Sequence, residues 1–149
     1  MRCAVPLVAI TACAYQPGSF RGLAASFPGQ RTTIGCLDVT VDERHERDGV
    51  AELEYNFGNR CDHPTVVDLA AVRVFGRTGD GRELAMAAID RRHELRALPI
   101  DGRLAGREAI AYDAGPGELA AVCVDVAPIA HATPAQWLCF GDARLAVTP

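Results

Sequence analysis

The chain has 149 residues, of which 49% are apolar, 23% charged and 6% aromatic, a composition typical of one soluble globular domain. All 15 basic side chains are arginine, which excludes chemistry that needs a lysine, such as Schiff-base formation or the phosphate contact of a P-loop. The net charge of −4 argues against nucleic acid as a partner, because nucleic acid is held by a basic surface.

The chain begins with an apolar segment that has the length of a signal-peptide core. Residues 3–12 are mostly apolar and follow Arg2, and a run of this length is too short to span a bilayer. The run ends in Ile10-Thr11-Ala12-Cys13, which resembles the lipobox of bacterial lipoproteins. The alternative is an ordinary buried strand at the amino terminus.

In the lipoprotein family the signal peptide is removed just before the cysteine, which is then acylated. The resemblance therefore implies a signal peptide over residues 1–12, a lipid anchor on Cys13 and a place in the cell envelope. Because Ala14 and not aspartate follows the cysteine, it implies the outer membrane where the organism has one, and otherwise the outer face of the cytoplasmic membrane.

Residues 13–33 are predicted to be the lipidated cysteine and a flexible tether. The segment after Cys13 contains prolines, glycines and glutamines and has no sustained hydrophobic period. A flexible chain of this length has a reach of about 25 Å, enough to hold the domain away from the bilayer. The alternative is that Phe20, Leu23 and Phe27 dock on the domain.

From Ile34 onward the hydrophobic period changes to two. The alternation over residues 37–41 and 53–57 predicts two strands of one hairpin, each with a buried and a solvated face. A third strand over residues 66–75 and a fourth over 83–90 flank an Asp-Gly turn at residues 78–81. A helix over residues 83–96 is the main alternative. Further strands are predicted over residues 94–98, 107–112, 119–127 and 137–147.

Seven to eight short strands separated by turn signals predict an all-β fold, an antiparallel sandwich over residues 34–149. The pattern resembles the immunoglobulin-like β-sandwiches of exported bacterial proteins, and the resemblance implies the architecture alone. Two features differ from true immunoglobulin domains. Trp137 lies near the carboxyl end, and Ala121, not a tyrosine, precedes Cys123 by two residues.

Four cysteines remain when Cys3 in the signal segment and Cys13 are set aside. An even number in an exported chain indicates two disulfides with three connectivities. We expect the sequential pairs, because each spans a predicted hairpin. The expected registers place Cys36 opposite residue 56 and Cys123 opposite residue 141. No Cys-x-x-Cys spacing supports a zinc site or a redox-active pair. The expected disulfides are Cys36–Cys61 and Cys123–Cys139.

The sequence predicts no catalytic, metal or cofactor site. The histidines stand singly on separate predicted loops, which favours solvated side chains over a metal site; they are His45, His63, His93 and His131. One stretch is rich in arginine but interleaved with acidic residues, which favours an ion-paired surface over an anion-binding patch; its basic members are Arg91, Arg92, Arg96, Arg103 and Arg107.

These observations predict a lipid-anchored cell-envelope β-sandwich that acts as a binding or assembly module without catalysis. Its expected partners are the membrane, through the anchor, and an envelope protein or glycan. Serine occurs only at Ser19 and Ser26 in the predicted tether, so the folded part lacks a serine nucleophile. Small sandwiches also seldom enclose a deep cleft. The alternatives are an envelope metal-binding protein, a carboxylate-dependent hydrolase and a structural spacer.

Overall fold

A computed structural model describes residues 15, 29–89, 97–142 and 144. Within these residues all strand pairs are antiparallel, which confirms the all-β class. Two short 3₁₀ helices cover Leu69–Ala71 and Ala127–Ala130. The strands are β1 (Gln30–Ile34), β2 (Leu37–Arg47), β3 (Val50–Asn59), β4 (Thr65–Val67), β5 (Arg73–Arg77), β6 (Glu83–Ala88), β7 (Leu98–Ile100), β8 (Ala105–Asp113), β9 (Ala121–Asp125) and β10 (Trp137–Gly141).

Eight of these strands form one sheet in the order β1-β2-β3-β8-β6-β5-β9-β10, and β4 pairs with β7 in a second, small sheet. Strands β6 and β8 share only two residue pairs, Ala87 with Asp113 and Ala88 with Tyr112. The large sheet is therefore divided at this place into two halves. Apolar side chains from both halves belong to a single core, so the halves form the two layers of a sandwich.

The two edge strands of the large sheet, β1 and β10, are joined through side chains. The Gln30 side-chain nitrogen donates a hydrogen bond to the Cys139 backbone carbonyl. The Cys139 backbone nitrogen donates one in return to the Gln30 side-chain oxygen over 3.2 Å. The Thr32 hydroxyl donates to the side-chain oxygen of Gln136. These contacts cover backbone groups that an open edge would leave free to pair with another chain.

The structure confirms the hairpin predicted from residues 37–41 and 53–57 and corrects its register. The turn is Asp48-Gly49, with φ of 49° and 80°, a conformation that suits an Asp-Gly pair. Strand β2 continues through the charged segment with a bulge after Glu43, so Leu37 faces Asn59. The predicted register, with Cys36 opposite residue 56, is therefore wrong. That register assumed that the charged segment is a loop, whereas its backbone continues strand β2 as far as Arg47.

The face expected to be solvated is partly buried. Asp38, Thr40 and Asn56 point away from the sandwich core, and all three are buried. Asn56 accepts a hydrogen bond from Arg107 on β8 over 2.9 Å, and Asp38 accepts one from Thr33 over 2.7 Å. Long side chains and paired polar groups thus cover the outer face of β2 and β3. A period-two pattern alone predicts that this face is exposed to solvent.

Other predicted boundaries also change. The prediction of one continuous strand over residues 66–75 is wrong, because a 3₁₀ turn separates β4 from β5. The Asp68 side chain starts this turn by accepting a hydrogen bond from the Ala70 nitrogen over 3.1 Å. Residues 83–88 are a strand, not the alternative helix. The first described strand begins at Gln30, four residues before the predicted start of the sandwich. The signal peptide, Cys13 and the docking alternative for residues 20–27 lie outside the described residues.

A buried tyrosine pair predicts an alkaline loss of stability. The Tyr55 and Tyr112 hydroxyls lie 2.9 Å apart in the core. Burial raises the pKa of Tyr112 to about 12, and burial together with the neighbouring Tyr112 raises the pKa of Tyr55 well above its usual range. An unfolded tyrosine ionises near pH ~10, so the stability from these neutral phenols is complete below that pH and is lost as the pH rises through the folded-state values.

We therefore expect the urea unfolding midpoint, measured with free thiols blocked, to fall steadily above about pH 10. Tyr112→Phe should cost about 1 kcal/mol at pH 8, where it leaves the Tyr55 hydroxyl unpaired. The same variant should show a shallower decline above pH ~10, because one buried phenol no longer ionises on unfolding. An identical decline in both proteins would contradict this assignment.

Candidate functional site

An aromatic groove lies on the outer face of the layer formed by β6, β5, β9 and β10. On β5 the core-facing Val74 and Gly76 alternate with outward residues, and Phe75 lies between Ala85 on β6 and Cys123 on β9. Trp137 occupies the corresponding outer position at the start of β10. The groove has a volume of about 590 Å³ and is lined by Val72, Arg73, Val74, Phe75, Glu83, Ala85, Met86 and Trp137.

The two aromatic rings that line the groove each lie against a guanidinium group; Arg73 also lines the groove, whereas Arg77 is buried beside Phe75. The rings of Phe75 and Trp137 meet edge to face, with centroids 5.1 Å apart and an interplanar angle of 62°. The Arg73 guanidinium lies 5.6 Å from the Trp137 centroid, and that of Arg77 lies 5.3 Å from the Phe75 centroid. Both distances are within the range of cation–π attraction. Each ring is thus held against a cation, which orders both rings before any ligand binds.

The cations of the groove are matched by carboxylates. Arg73 pairs with Asp125, and Arg77 lies 2.7 Å from Glu83. Asp125 is completely buried, and its Oδ1 also accepts hydrogen bonds from the Ala127 nitrogen over 3.1 Å and the Gln136 nitrogen over 2.9 Å. Because each guanidinium has an acidic partner, the groove favours contact with apolar or planar groups over capture of a free anion.

The disulfides are the two pairs expected from the sequence. Cys123 faces Cys139 directly across β9 and β10, with Cα atoms 4.1 Å apart, so the predicted register opposite residue 141 is wrong by two residues. Their bridge lies in the same cross-strand row as Phe75 and so supports the groove. Cys36 and Cys61 join the start of β2 to the loop after β3, with Cα atoms 5.5 Å apart.

The Cys36–Cys61 bridge lies next to a histidine. Ligand atoms of Cys36, Cys61 and His63 lie within 4.8 Å of one another. Both sulfurs are bonded to each other, so neither is the thiolate that a metal ion requires. His63 contacts Asp62 at 3.3 Å, and this hydrogen bond lowers the pKa of Asp62.

The other sequence candidates are not brought into one site within the described residues. The Arg107 side chain donates a hydrogen bond to the Asn56 side chain. The Arg103 backbone carbonyl accepts a hydrogen bond from the Tyr15 backbone nitrogen. His131 ends the second 3₁₀ helix in a left-handed conformation. Residues 91–96, which include His93, and the side chain of His45 lie outside the description.

Sequence reasoning missed the groove. Its signal is the alternation Arg73-Val74-Phe75-Gly76-Arg77, which places one aromatic and two basic side chains on the same face of a strand. The position of Trp137 beside them could not be read from the sequence, because it depends on β9 lying between β5 and β10.

Comparisons with known proteins give one structural likeness. No protein-family model matches the chain, and no curated protein matches its sequence. The solved structure of a "putative lipoprotein (ycdA)" from Bacillus subtilis is similar, with a TM-score of 0.50 and 12% identity over 79% of this chain. The likeness shows the fold alone. The matched part is 41% of that protein, so the chain spans about two fifths of its length. Among the described residues no helix is long and apolar enough to cross a membrane.

Proposed function

We propose that the protein is a lipid-anchored cell-envelope module that binds another envelope protein through the aromatic groove. The lipobox-like segment ending at Cys13 supports the anchor, and the two disulfides support an oxidising compartment. The similar Bacillus subtilis protein carries a lipoprotein description, which agrees with this location.

The observation that carries the binding role is the pairing of half-buried Trp137 and Phe75 with the exposed guanidinium of Arg73 and the buried one of Arg77. Tryptophan and arginine are enriched among the residues that supply most of the binding energy in protein interfaces, and aromatic side chains and methionine are enriched in interfaces generally. The groove is shallow and nearly neutral, so the fitting partner is a protein segment that presents an apolar side chain to the two rings.

Three carboxyl groups among the described residues have a lowered pKa, so none of these three is suited to act as a general acid at neutral pH. A general acid at neutral pH needs a raised carboxyl pKa. The carboxyl groups here whose pKa is shifted are all shifted downward by hydrogen bonds, from Arg44 to Glu54, from His63 to Asp62 and from Thr78 to Asp80.

Site-specific photo-crosslinking in cells of the source organism tests the proposal. A photoreactive amino acid at Ala85 places the probe in the groove, and the same residue at exposed Ala109 on the outer face of β8 is the matched control. We expect one protein adduct from position 85, none from position 109, and loss of the adduct when Trp137 is replaced by alanine. An adduct that persists in Trp137→Ala, or equal adducts at both positions, would overturn the groove as the binding site.

The crosslinked segment then allows a direct affinity measurement. The chain has a single tryptophan, so selectively excited tryptophan fluorescence reports only on this groove. We expect the synthetic segment to change Trp137 emission saturably. By calorimetry we expect Trp137→Ala to weaken Kd by about 30-fold or more, the effect of losing a central aromatic contact. Arg47→Ala, an exposed change away from the groove, should leave Kd unchanged. Saturable emission changes with glycan fragments and not with the segment would replace the protein partner by a glycan.

A further inference from the structure

Tyr15 is docked on the domain although it belongs to the predicted tether. The residue is buried, with 6% of its surface exposed. Its hydroxyl donates to Asp38 over 2.6 Å, and its backbone nitrogen donates to the Arg103 carbonyl. Side chain and backbone are thus both held, on two different elements of the fold.

The surface beneath the ring is shaped for it. The ring lies on Gly58 of β3, where a Cβ would overlap the ring atoms. Gly58 faces Asp38 across the β2–β3 pair, so the glycine and the hydrogen-bond acceptor lie side by side. Asp38 is buried and is further bound by Thr33, with Arg60 at 3.8 Å. Tyr15 therefore occupies a built pocket and not a chance surface contact.

Tyr15 is held at one end of the domain, beside two loops, residues 60–64 and 101–104, which we call the anchor end. Buried Asn59 ties its two loops together, because its side-chain nitrogen donates to the His63 carbonyl over 2.8 Å and to the Ile100 carbonyl over 3.0 Å. The Arg103 nitrogen also donates to the Cys61 carbonyl over 2.9 Å. The anchor end is thus a rigid support.

Cys13 precedes Tyr15 by two residues, and two residues span at most about 7 Å. We propose that the Tyr15 contact fixes the lipid at the anchor end and that this end of the domain rests on the membrane surface. The proposal depends on the proposed acylation of Cys13. It replaces the expectation of a freely reaching tether with a fixed orientation.

The surface next to this end fits the boundary between lipid headgroups and acyl chains. Among the described residues the large apolar side chains that are exposed are Val66, Leu104 and Ile89. Leu104, 37% exposed, adjoins Arg103, and it shares a shallow cavity of about 240 Å³ with Pro99. Pro99 in turn pairs with Val66, which is 50% exposed. Acidic and basic groups of the anchor end balance, so the fit does not require an anionic lipid; they are Arg60, Arg103, Asp62 and Asp101.

Tryptophan quenching by lipid tests this orientation in the acylated full chain. In a Trp137→Phe background, one variant carries Leu104→Trp and the control carries Arg47→Trp. Arg47 lies beside the Asp48-Gly49 turn, at the far end of the ten-residue strand β3, about 30 Å from Asn59. The proteins are inserted into phosphatidylcholine vesicles whose acyl chains are brominated. We expect at least threefold stronger quenching at position 104 than at position 47.

A second pair of variants tests whether Tyr15 sets the orientation. Gly58→Ala places a methyl group where the ring lies, whereas Gly79→Ala adds one where no atom lies within 4 Å. We expect Gly58→Ala, and equally Tyr15→Ala, to reduce the quenching at position 104 to the level of position 47. Gly79→Ala should leave it unchanged. Circular dichroism confirms that each variant is folded.

The outcomes separate the two proposals. Mass spectrometry that finds no acyl group on Cys13 would overturn the anchor and, with it, the membrane contact. Acylated protein with equal quenching at both positions would overturn the orientation and leave the anchor intact. Strong quenching at position 104 that survives Gly58→Ala and Tyr15→Ala would remove Tyr15 as its cause.

Discussion

Replacement of Asp125 by alanine is expected to lower the free energy of unfolding by about 3 kcal/mol. Asp125 is fully buried, and its carboxylate accepts hydrogen bonds from the Ala127 and Gln136 nitrogens and pairs with Arg73. An unpaired buried donor costs about 1–3 kcal/mol, and the alanine variant leaves two donors without their acceptor. Denaturant unfolding followed by circular dichroism measures this loss.

Two controls isolate the cause. Asp125→Asn keeps the acceptor oxygen and loses the ion pair with exposed Arg73, so it should cost about 1 kcal/mol. Asp113 likewise accepts a hydrogen bond from the backbone nitrogen two residues later, that of Gly115, over 2.7 Å, but this contact is exposed to solvent. Asp113→Ala should therefore lower the free energy of unfolding by well under half as much as Asp125→Ala. Equal losses in the two alanine variants would show that burial of Asp125 is not what makes its hydrogen bonds important.

Asp125→Ala should also alter the aromatic groove. Asp125 holds the arginine that stacks on Trp137, and Trp137 lies opposite Asp125 on β10. In native buffer, Asp125→Ala should therefore shift Trp137 fluorescence, whereas Asp113→Ala should not. An unchanged emission maximum in folded Asp125→Ala would show that the carboxylate does not position the groove.

Removal of either disulfide is expected to cost about 3 kcal/mol. The bridges close sequence separations of 25 and 16 residues, and chain-entropy estimates for loops of these lengths are similar. They lie on different strand pairs, so the losses should add. The double removal would then cost about 6 kcal/mol, comparable to the whole stability of a small domain. Cys36→Ala/Cys61→Ala and Cys123→Ala/Cys139→Ala test each bridge separately by guanidinium unfolding.

Reduction provides the control for these variants. A dithiol reductant should destabilise each double variant by the amount assigned to its remaining bridge, and should leave the quadruple alanine variant unchanged. Non-reducing peptide mapping that joins Cys61 to Cys123 would contradict both assignments at once.

The sequence alone determined the fold class, because period-two alternation and turn residues are local signals. Residues 37–41 and 53–57 show the pattern of a strand with one core face, and both are strands. The same pattern predicts the hairpin between them but not its register. The Asp48-Gly49 turn lies within a charged stretch, and a strand exposed on one face has the same composition as a loop.

Only the tertiary structure decided which outward-facing residues are covered and which form a site. The burial of Asp38 depends on Tyr15, which lies 23 residues away and has no periodic pattern around it. The groove depends on the order of β6, β5, β9 and β10, since adjacency in a sheet is set by the packing of the whole core. Trp137 and Phe75 are 62 positions apart in the sequence, and only the strand between them brings their rings together.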